Sequence, residues 1–100
     1  MAGPIYKQFL ARWTEAWYQL SPDEQRAFEA KLGAALEQAG GKGVVYCDAS
    51  WSGDQWAFFG IEEFPDLEAV QKHTQALQAL NWFRYCDSRS LLGTKWPTAP

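Results

Sequence analysis

Apolar residues recur along this chain with two different spacings. Over positions 5–13 they alternate, as expected of a β-strand, whose successive side chains point to opposite faces, and over 44–50, 55–63 and 90–96 they form short apolar runs that are also typical of strands. Over positions 22–39 and 66–83 they recur every three or four residues, which is typical of an amphipathic helix. The sequence therefore predicts the order strand, helix, strand, strand, helix, strand.

Local signals support this order. Ser21 and Glu24 have the spacing of a capping box, and Pro22 stands at the first helical position, where its missing N–H costs nothing. Gly40 follows the first helix and can adopt the left-handed conformation that helix ends favour. The order is that of the ferredoxin-like split βαβ unit, so we predict an α+β fold. We expect a four-stranded antiparallel sheet with both helices on one face, forming one domain over residues 1–100.

Large apolar side chains fall on both faces of the predicted sheet. The opposed sets are Phe9 and Trp13 against Leu10, Val44 and Tyr46 against Val45, and Trp56 and Phe58 against Phe59 and Ile61. The helices cover only one face, and monomeric proteins rarely leave several hundred Å² of contiguous apolar surface in water. We therefore predict an obligate homodimer that buries the open sheet face.

Composition excludes several classes of partner. The chain carries a net charge of −3 with scattered basic residues, which argues against nucleic acid or an anionic membrane as partner. Aromatic residues make up 16% of the chain and include six tryptophans. So many rings in a small domain must fill a core, line a pocket or meet a partner.

Motifs for metals, phosphate or nucleophilic catalysis are missing from the sequence. Cys47 and Cys86 lack metal-ligand spacing and are expected to be free thiols, and no Gly-rich phosphate loop, GxSxG or HExxH is present. The chain has no signal-peptide pattern and no apolar run of membrane-spanning length. We expect a cytoplasmic protein without a cofactor or bound metal.

Two segments of the chain have a recognisable pattern. They are residues 17–28, Trp-Tyr-Gln-Leu-Ser-Pro-Asp-Glu-Gln-Arg-Ala-Phe, and residues 66–85, a second helix with a terminal aromatic pair. The order of elements resembles the dimeric α/β-barrel superfamily, and within it these two segments resemble the small uncharacterised proteins related to darcynin. The resemblance implies a pocket between sheet and helices. It does not select an activity, because the superfamily holds monooxygenases, isomerases, haem enzymes and plain ligand binders.

His73 is the only histidine and the one weak candidate for a catalytic residue. On a helical wheel it lies near Leu77 and Leu80, so its side chain should project toward the pocket that the resemblance implies. There it could act as a general base, a haem ligand or a hydrogen-bond donor to a ligand. The alternative is a structural histidine at the edge of the core, bonded to a backbone carbonyl or a hydroxyl.

Some members of the superfamily use or degrade haem. The haem-degrading members combine a strand Asn, a strand Trp and a helix His. This chain has Gln8 where the Asn would stand, and the separation of Trp56 from His73 is too long. Haem binding is therefore not expected.

Four aromatic residues complete the predicted ligand-binding set with His73. They are Trp13, Trp17, Tyr46 and Trp56. For Trp13 and Trp17, packing at the dimer seam or between sheet and first helix is the alternative to a pocket wall. Arg12 and Asp48 could face each other across strands or point into the pocket, or form an ion pair of little consequence at an edge.

The predicted function is binding of a small aromatic or planar ligand between sheet and helices. Two alternatives stay open: a cofactor-free enzyme of the monooxygenase or isomerase kind, and a structural or interaction module without a ligand.

Overall fold

A computed structural model of the protein describes residues 3–97, which contain four strands and four helices. In chain order the elements are β1 (Ile5–Trp13), α1 (Glu15–Tyr18), α2 (Pro22–Gln38), β2 (Lys42–Asp48), β3 (Phe58–Phe64), α3 (Leu67–Ala79), α4 (Trp82–Tyr85) and β4 (Cys86–Gly93). The strands form one antiparallel sheet in the order β2-β3-β1-β4. This confirms the predicted ferredoxin-like α+β architecture.

Strand register decides which side chains meet the helices. Phe9 of β1 lies opposite Gly60 of β3 and Ser90 of β4, and side chains alternate from this line. Odd-numbered residues of β1 and even-numbered residues of β3 and β4 therefore share the helix-covered face. The hydrophobic core lies between this face and the helices and consists of two clusters of buried residues. One contains Ala11, Trp17, Phe28, Leu77, Trp82 and Cys86, and the other contains Phe64, Ala69 and Val70.

The cap of α2 has the predicted chemistry. Ser21 Oγ accepts a hydrogen bond from the Glu24 N–H at 3.1 Å, and Glu24 Oε1 accepts one from the Ser21 N–H at 2.9 Å. These bonds satisfy donors that the first helical turn leaves unpaired. The predicted connector between β1 and α2 contains the single-turn helix α1, in which the Trp17 side chain is buried.

The predicted second helix, 66–83, is wrong in its C-terminal part. It ends at Ala79, and Asn81 adopts a left-handed conformation with φ 61° before α4 begins. Asparagine tolerates this region better than most residues, so it can end one helix and redirect the chain. The break turns Trp82 back onto the core, where its side chain is buried.

Three strand boundaries also differ from the prediction. The predicted strand 44–50 lies at Lys42–Asp48, and the predicted strand 55–63 lies at Phe58–Phe64. The predicted strand 90–96 begins four residues earlier, at Cys86. The early part of β4 is polar, with Asp87, Ser88 and Arg89 in sequence, yet it pairs with β1 from Cys86 opposite Trp13. As an edge strand it can carry polar side chains on its uncovered side. No helix within residues 3–97 is long and apolar enough to cross a membrane.

Candidate functional site

A cavity of about 350 Å³ lies between the helix-covered face of the sheet and helices α2, α3 and α4. Its apolar wall contains aliphatic side chains of α2 and α3 and aromatic side chains of the sheet and α4. The aliphatic residues are Leu32, Leu36 and Leu77, and the aromatic residues are Phe9, Trp13, Phe58, Trp82 and Phe83. Phe83 and Ser90 line the cavity and are also exposed, so the cavity opens to solvent beside them.

Stacked rings hold the tryptophan wall in place. The indoles of Trp13 and Trp17 stack with centroids 3.8 Å apart and planes 11° from parallel, and Trp17 packs edge-on against Phe28. Trp82 meets Trp13 at a steep angle and its indole Nε1 donates a hydrogen bond of 3.2 Å to Ser88 Oγ. Such contacts restrict the rings to one arrangement, so the wall is preformed.

A polar group interrupts the apolar lining. Lys7 of β1 lies directly opposite Glu62 of β3 in the sheet, and both side chains line the cavity. The Tyr46 hydroxyl donates a hydrogen bond of 2.9 Å to Glu62 Oε2. His73 approaches from α3. Four ionisable side chains from four different elements thus meet at one cavity.

Burial shifts the pKa values of the Lys7, Glu62 and Tyr46 side chains. It lowers the pKa of the Lys7 ammonium, which the Glu62 charge partly opposes, and raises the pKa of the Glu62 carboxyl, which Tyr46 and Lys7 partly oppose. The pKa of the Tyr46 hydroxyl is raised well above its usual value by burial and by the adjacent Glu62 charge. Each shift favours the neutral form of the side chain.

His73 is almost fully buried, with 3% of its surface exposed, and its ring lies 5.3 Å from that of Phe64. Burial, and then the charge of Lys7, lower the pKa of the imidazole to about 4, so the ring is neutral near neutral pH. Its Nδ1 atom is buried and has no hydrogen-bond partner among residues 3–97. The predicted backbone or hydroxyl partner of a structural histidine is therefore not found for this atom.

The ring surroundings do not suit a haem ligand. A histidine that binds a metal usually donates its second N–H to a carboxylate, a carbonyl or water, whereas Nδ1 of His73 lacks a protein partner in the described part of the chain. No cluster of three or more His, Cys, Asp or Glu residues that could hold a metal ion is found there either. The expectation of a protein without haem or another cofactor stays a prediction.

The predicted ligand-binding residues separate into three groups. Trp13, Tyr46 and His73 line the cavity, and Trp17 stands behind Trp13 in the core. Trp56 is not among the lining residues: it precedes β3, and the Arg12 guanidinium lies 5.5 Å from its ring centroid. Three of the five residues therefore meet at one site.

Arg12 and Asp48, whose contact the sequence left open, do not pair with each other, and neither lines the cavity. Arg12 instead pairs with Asp87 of the adjacent strand β4, at 3.4 Å from Nε to Oδ2. Asp48 accepts hydrogen bonds from the Ser50 N–H at 2.9 Å and the Ser50 hydroxyl at 2.6 Å. These bonds lower the pKa of the Asp48 carboxyl and fix the turn after β2. Arg12 lies on the opposite face of β1 from the cavity.

Sequence reasoning missed Lys7 and Glu62 as site residues. The available signal was a charged side chain at an inward position of each of two strands, Lys7 between Ile5 and Phe9, and Glu62 between Gly60 and Phe64. A charge on the buried side of a strand is unusual unless it is paired or functional. The pairing of these two positions depends on the β1–β3 register, which the sequence pattern does not provide.

Residues 8–99 match the family of unknown function DUF6616. The chain belongs to this family. No curated protein sequence matches it. Family membership therefore brings no activity.

Solved structures with the same fold include chlorite dismutases and a protein of unknown function. A point variant of chlorite dismutase from Candidatus Nitrospira defluvii superposes with a TM-score of 0.76 at 15% identity, over 99% of this chain and 43% of that one. A second variant of the same enzyme gives 0.76 at 18% identity, over 98% and 42%. A protein of unknown function from Rhodopseudomonas palustris gives 0.63 at 22% identity, over 96% and 85%.

These similarities confirm the predicted ferredoxin-like α+β fold. The chain spans about two fifths of the length of the chlorite dismutase chains. At such low identity the likeness establishes the fold alone.

Proposed function

We propose that the protein binds a small aromatic or planar ligand in the cavity between sheet and helices. The observation that carries this proposal is the combination of a preformed aromatic wall with a small polar group at one cavity. Ligand sites are typically concavities of about 300–1,000 Å³ with mostly apolar lining and a few placed polar groups. At about 350 Å³ the cavity is at the lower end of that range and suits a ligand of one or two rings.

Packing physics supports a ligand over a structural module. Protein interiors contain few voids larger than a water molecule, because each void loses contacts that a filled core would make. Here the space is more than tenfold the volume of about 30 Å³ that a water molecule takes in the liquid. A module whose aromatics served only the core would gain stability by filling it.

Titration with flat aromatic and quinone-like compounds tests the proposal, with tryptophan fluorescence and ligand-observed NMR as readouts. Leu77 lines the cavity at 7% exposure, whereas Leu67 of the same helix is 52% exposed. Leu77→Trp should fill the cavity and weaken binding at least tenfold, while the matched Leu67→Trp should leave it unchanged. Absence of saturable binding to the wild-type protein would favour the structural module.

Of the two enzyme classes, an isomerase fits the residues better because it needs only proton transfer. Glu62 could take a proton from a bound carbonyl compound and return it to another carbon, since burial raises the pKa of its carboxyl. Incubation with 2-tetralone in D₂O should then show C–H exchange by NMR above the buffer rate, and Glu62→Gln should abolish it. Exchange at the buffer rate would leave the protein as a binder.

We also propose the homodimer. The open face is the sheet surface opposite the helices, and its apolar residues include Tyr6, Leu10, Val45, Phe59, Ile61 and Leu91. The accessible surface of the chain is 6940 Å², against roughly 5,700 Å² for a compact monomer of this mass. The excess of accessible surface over that of a compact monomer is larger than the area of about 800 Å² that each partner buries in a standard interface. A second copy, placed face to face, would cover this surface.

Sedimentation equilibrium at micromolar concentration tests the assembly. The wild-type protein should sediment at twice its chain mass of 11.3 kDa. Leu10→Glu puts a charge on the open face and should yield monomer or loss of folding, whereas Leu67→Glu, exposed on α3, should preserve the dimer. A folded wild-type protein that sediments as a single chain contradicts the dimer.

A further inference from the structure

We infer that the ligand carries a phenolic or enolic hydroxyl group, which binds between Lys7 and Glu62 while its ring occupies the aromatic part of the cavity. This rests on the proposed function and specifies the chemical class of the ligand. It follows from the hydrogen-bonding capacity that the polar residues of the cavity leave unused.

Glu62 has acceptor capacity to spare. Its side chain is buried, with 7% of the residue exposed, and within the described part of the chain its carboxylate has one side-chain partner, the Tyr46 hydroxyl. An ionised carboxylate offers about four lone-pair sites. A buried carboxylate with so few partners is costly unless something else supplies a donor.

Lys7 has unused donors. Among residues 3–97 no carboxylate lies within salt-bridge distance of its ammonium, although Glu62 is its direct neighbour across the β1–β3 pair. A half-buried lysine without a close anion is uncommon in a small core. The two groups therefore flank a space without closing it.

His73 supplies an independent observation at the same cavity. It is 97% buried by surface area, yet its Nδ1 has no partner in the part of the chain that the structure describes. Native proteins rarely leave buried polar atoms unpaired, and the exceptions often mark functional sites. Three polar side chains with unused capacity, contributed by β1, β3 and α3, thus line one cavity.

A hydroxyl group matches this arrangement better than other groups. Its oxygen can accept a hydrogen bond from the Lys7 ammonium while its proton is donated to the Glu62 carboxylate, and bonds to charged partners are the stronger kind. A ligand carboxylate would meet repulsion from Glu62, and an ammonium would meet it from Lys7. A ketone or an ether would leave Glu62 without a new donor.

The aromatic wall selects for a hydroxyl on a flat ring. Phe9, Trp13 and Phe58 pack against one another, with centroids 6.2 Å apart for Phe9 and Phe58 and 5.1 Å for Trp13 and Phe58. All three line the cavity together with Lys7 and Glu62. A phenol or a planar enol can stack on these rings while its oxygen reaches the two charges.

Four probes that share a ring system test the inference. They are 2-naphthol, 2-methoxynaphthalene, 2-naphthoate and naphthalene, with affinities measured by ligand-observed NMR or calorimetry. One hydrogen bond to a charged group corresponds to about tenfold to hundredfold in affinity, so 2-naphthol should bind tighter than 2-methoxynaphthalene by that factor. The carboxylate of 2-naphthoate should bind no better than naphthalene.

Variants identify the residues responsible. Glu62→Gln and Lys7→Met should each reduce the preference for 2-naphthol, because the amide oxygen is an uncharged and weaker acceptor and methionine has no N–H donor. Both variants should leave naphthalene binding unchanged, because naphthalene contacts only the apolar wall. Glu63→Gln is the matched control, since Glu63 neighbours Glu62 on β3 but lies on the opposite face beside Lys42. It should preserve the preference.

The outcomes separate the inference from the function on which it rests. Equal affinity for 2-naphthol and 2-methoxynaphthalene, or an undiminished preference in Glu62→Gln, overturns the hydroxyl assignment while naphthalene binding still supports the cavity as a ligand site. No binding of any of the four compounds overturns both. If a variant does not fold, the wild-type probe series alone decides.

Discussion

Replacement of His73 by phenylalanine should make the protein less sensitive to acid. The native imidazole has a pKa of about 4, against 6.5 for an unperturbed histidine. Between those values the unfolded chain binds a proton that the native protein does not, so the free energy of unfolding falls as the pH falls. Phenylalanine has a similar shape and cannot titrate, and it removes this part of the pH dependence.

The magnitude follows from the difference in pKa. One pKa unit corresponds to about 1.4 kcal/mol, so His73 costs at most about 3 kcal/mol once both states are protonated. Between about pH 7 and about pH 5 the loss is about 2 kcal/mol, a large part of the stability of a small domain. Glu62 acts in the opposite direction, because its raised pKa gives stability that is lost as the pH rises. It is present in both proteins and cancels from their difference.

Urea unfolding followed by tryptophan fluorescence at the two pH values measures the effect. The stability of His73→Phe relative to wild type should rise by about 2 kcal/mol on acidification. At neutral pH the variant should be equal or more stable, because the unpaired Nδ1 is gone. Gln75→His is the control, because position 75 is exposed on the same helix. This variant should not change the pH dependence of the free energy of unfolding. An identical pH dependence for His73→Phe and wild type would refute the reasoning.

Three further outcomes are expected from other parts of the fold. Ser21→Ala removes the side-chain cap of α2 and should lower the free energy of unfolding by about 1 kcal/mol in urea titrations. Gly60→Ala would place its Cβ 2.6 Å from Tyr46 Cδ1, so urea unfolding should show a loss of about 1–3 kcal/mol and ligand titration a weaker affinity. Burial raises the pKa of the Cys86 thiol to about 12, so mass spectrometry after brief alkylation should find Cys86 intact in the native protein and modified after unfolding.

The elements with strong local signals were predictable from the sequence. β1 has the predicted bounds, and α2 begins at the predicted Pro22 because its cap is encoded by adjacent residues. The break after α3 was not predictable from periodicity, since Trp82 and Phe83 continue an apolar pattern that only the left-handed Asn81 interrupts. β4 was placed too late because its first half is polar, and its pairing with β1 is a tertiary property.

The candidate site was predictable in part for a similar reason. His73 stood out because it is a single histidine near an apolar stripe, and Trp13 because it belongs to an alternating strand. Trp56 was predicted to line the pocket because the strand pattern included it. In the structure β3 begins at Phe58, so Trp56 lies outside the strand and does not line the cavity. Lys7 and Glu62 are separated by more than half of the chain, and only sheet register brings them to one cavity. Long-range register is the information that local patterns lack.

The parallel stack of Trp13 on Trp17 also gives this protein an optical property. Two indoles held 3.8 Å apart couple their electronic transitions, so native protein should show a paired positive and negative band in circular dichroism that the unfolded chain lacks. One member of the pair faces the cavity and the other is fixed in the core. A ligand that displaces the first ring by a small angle would therefore change the sign or amplitude of that signal without any introduced label.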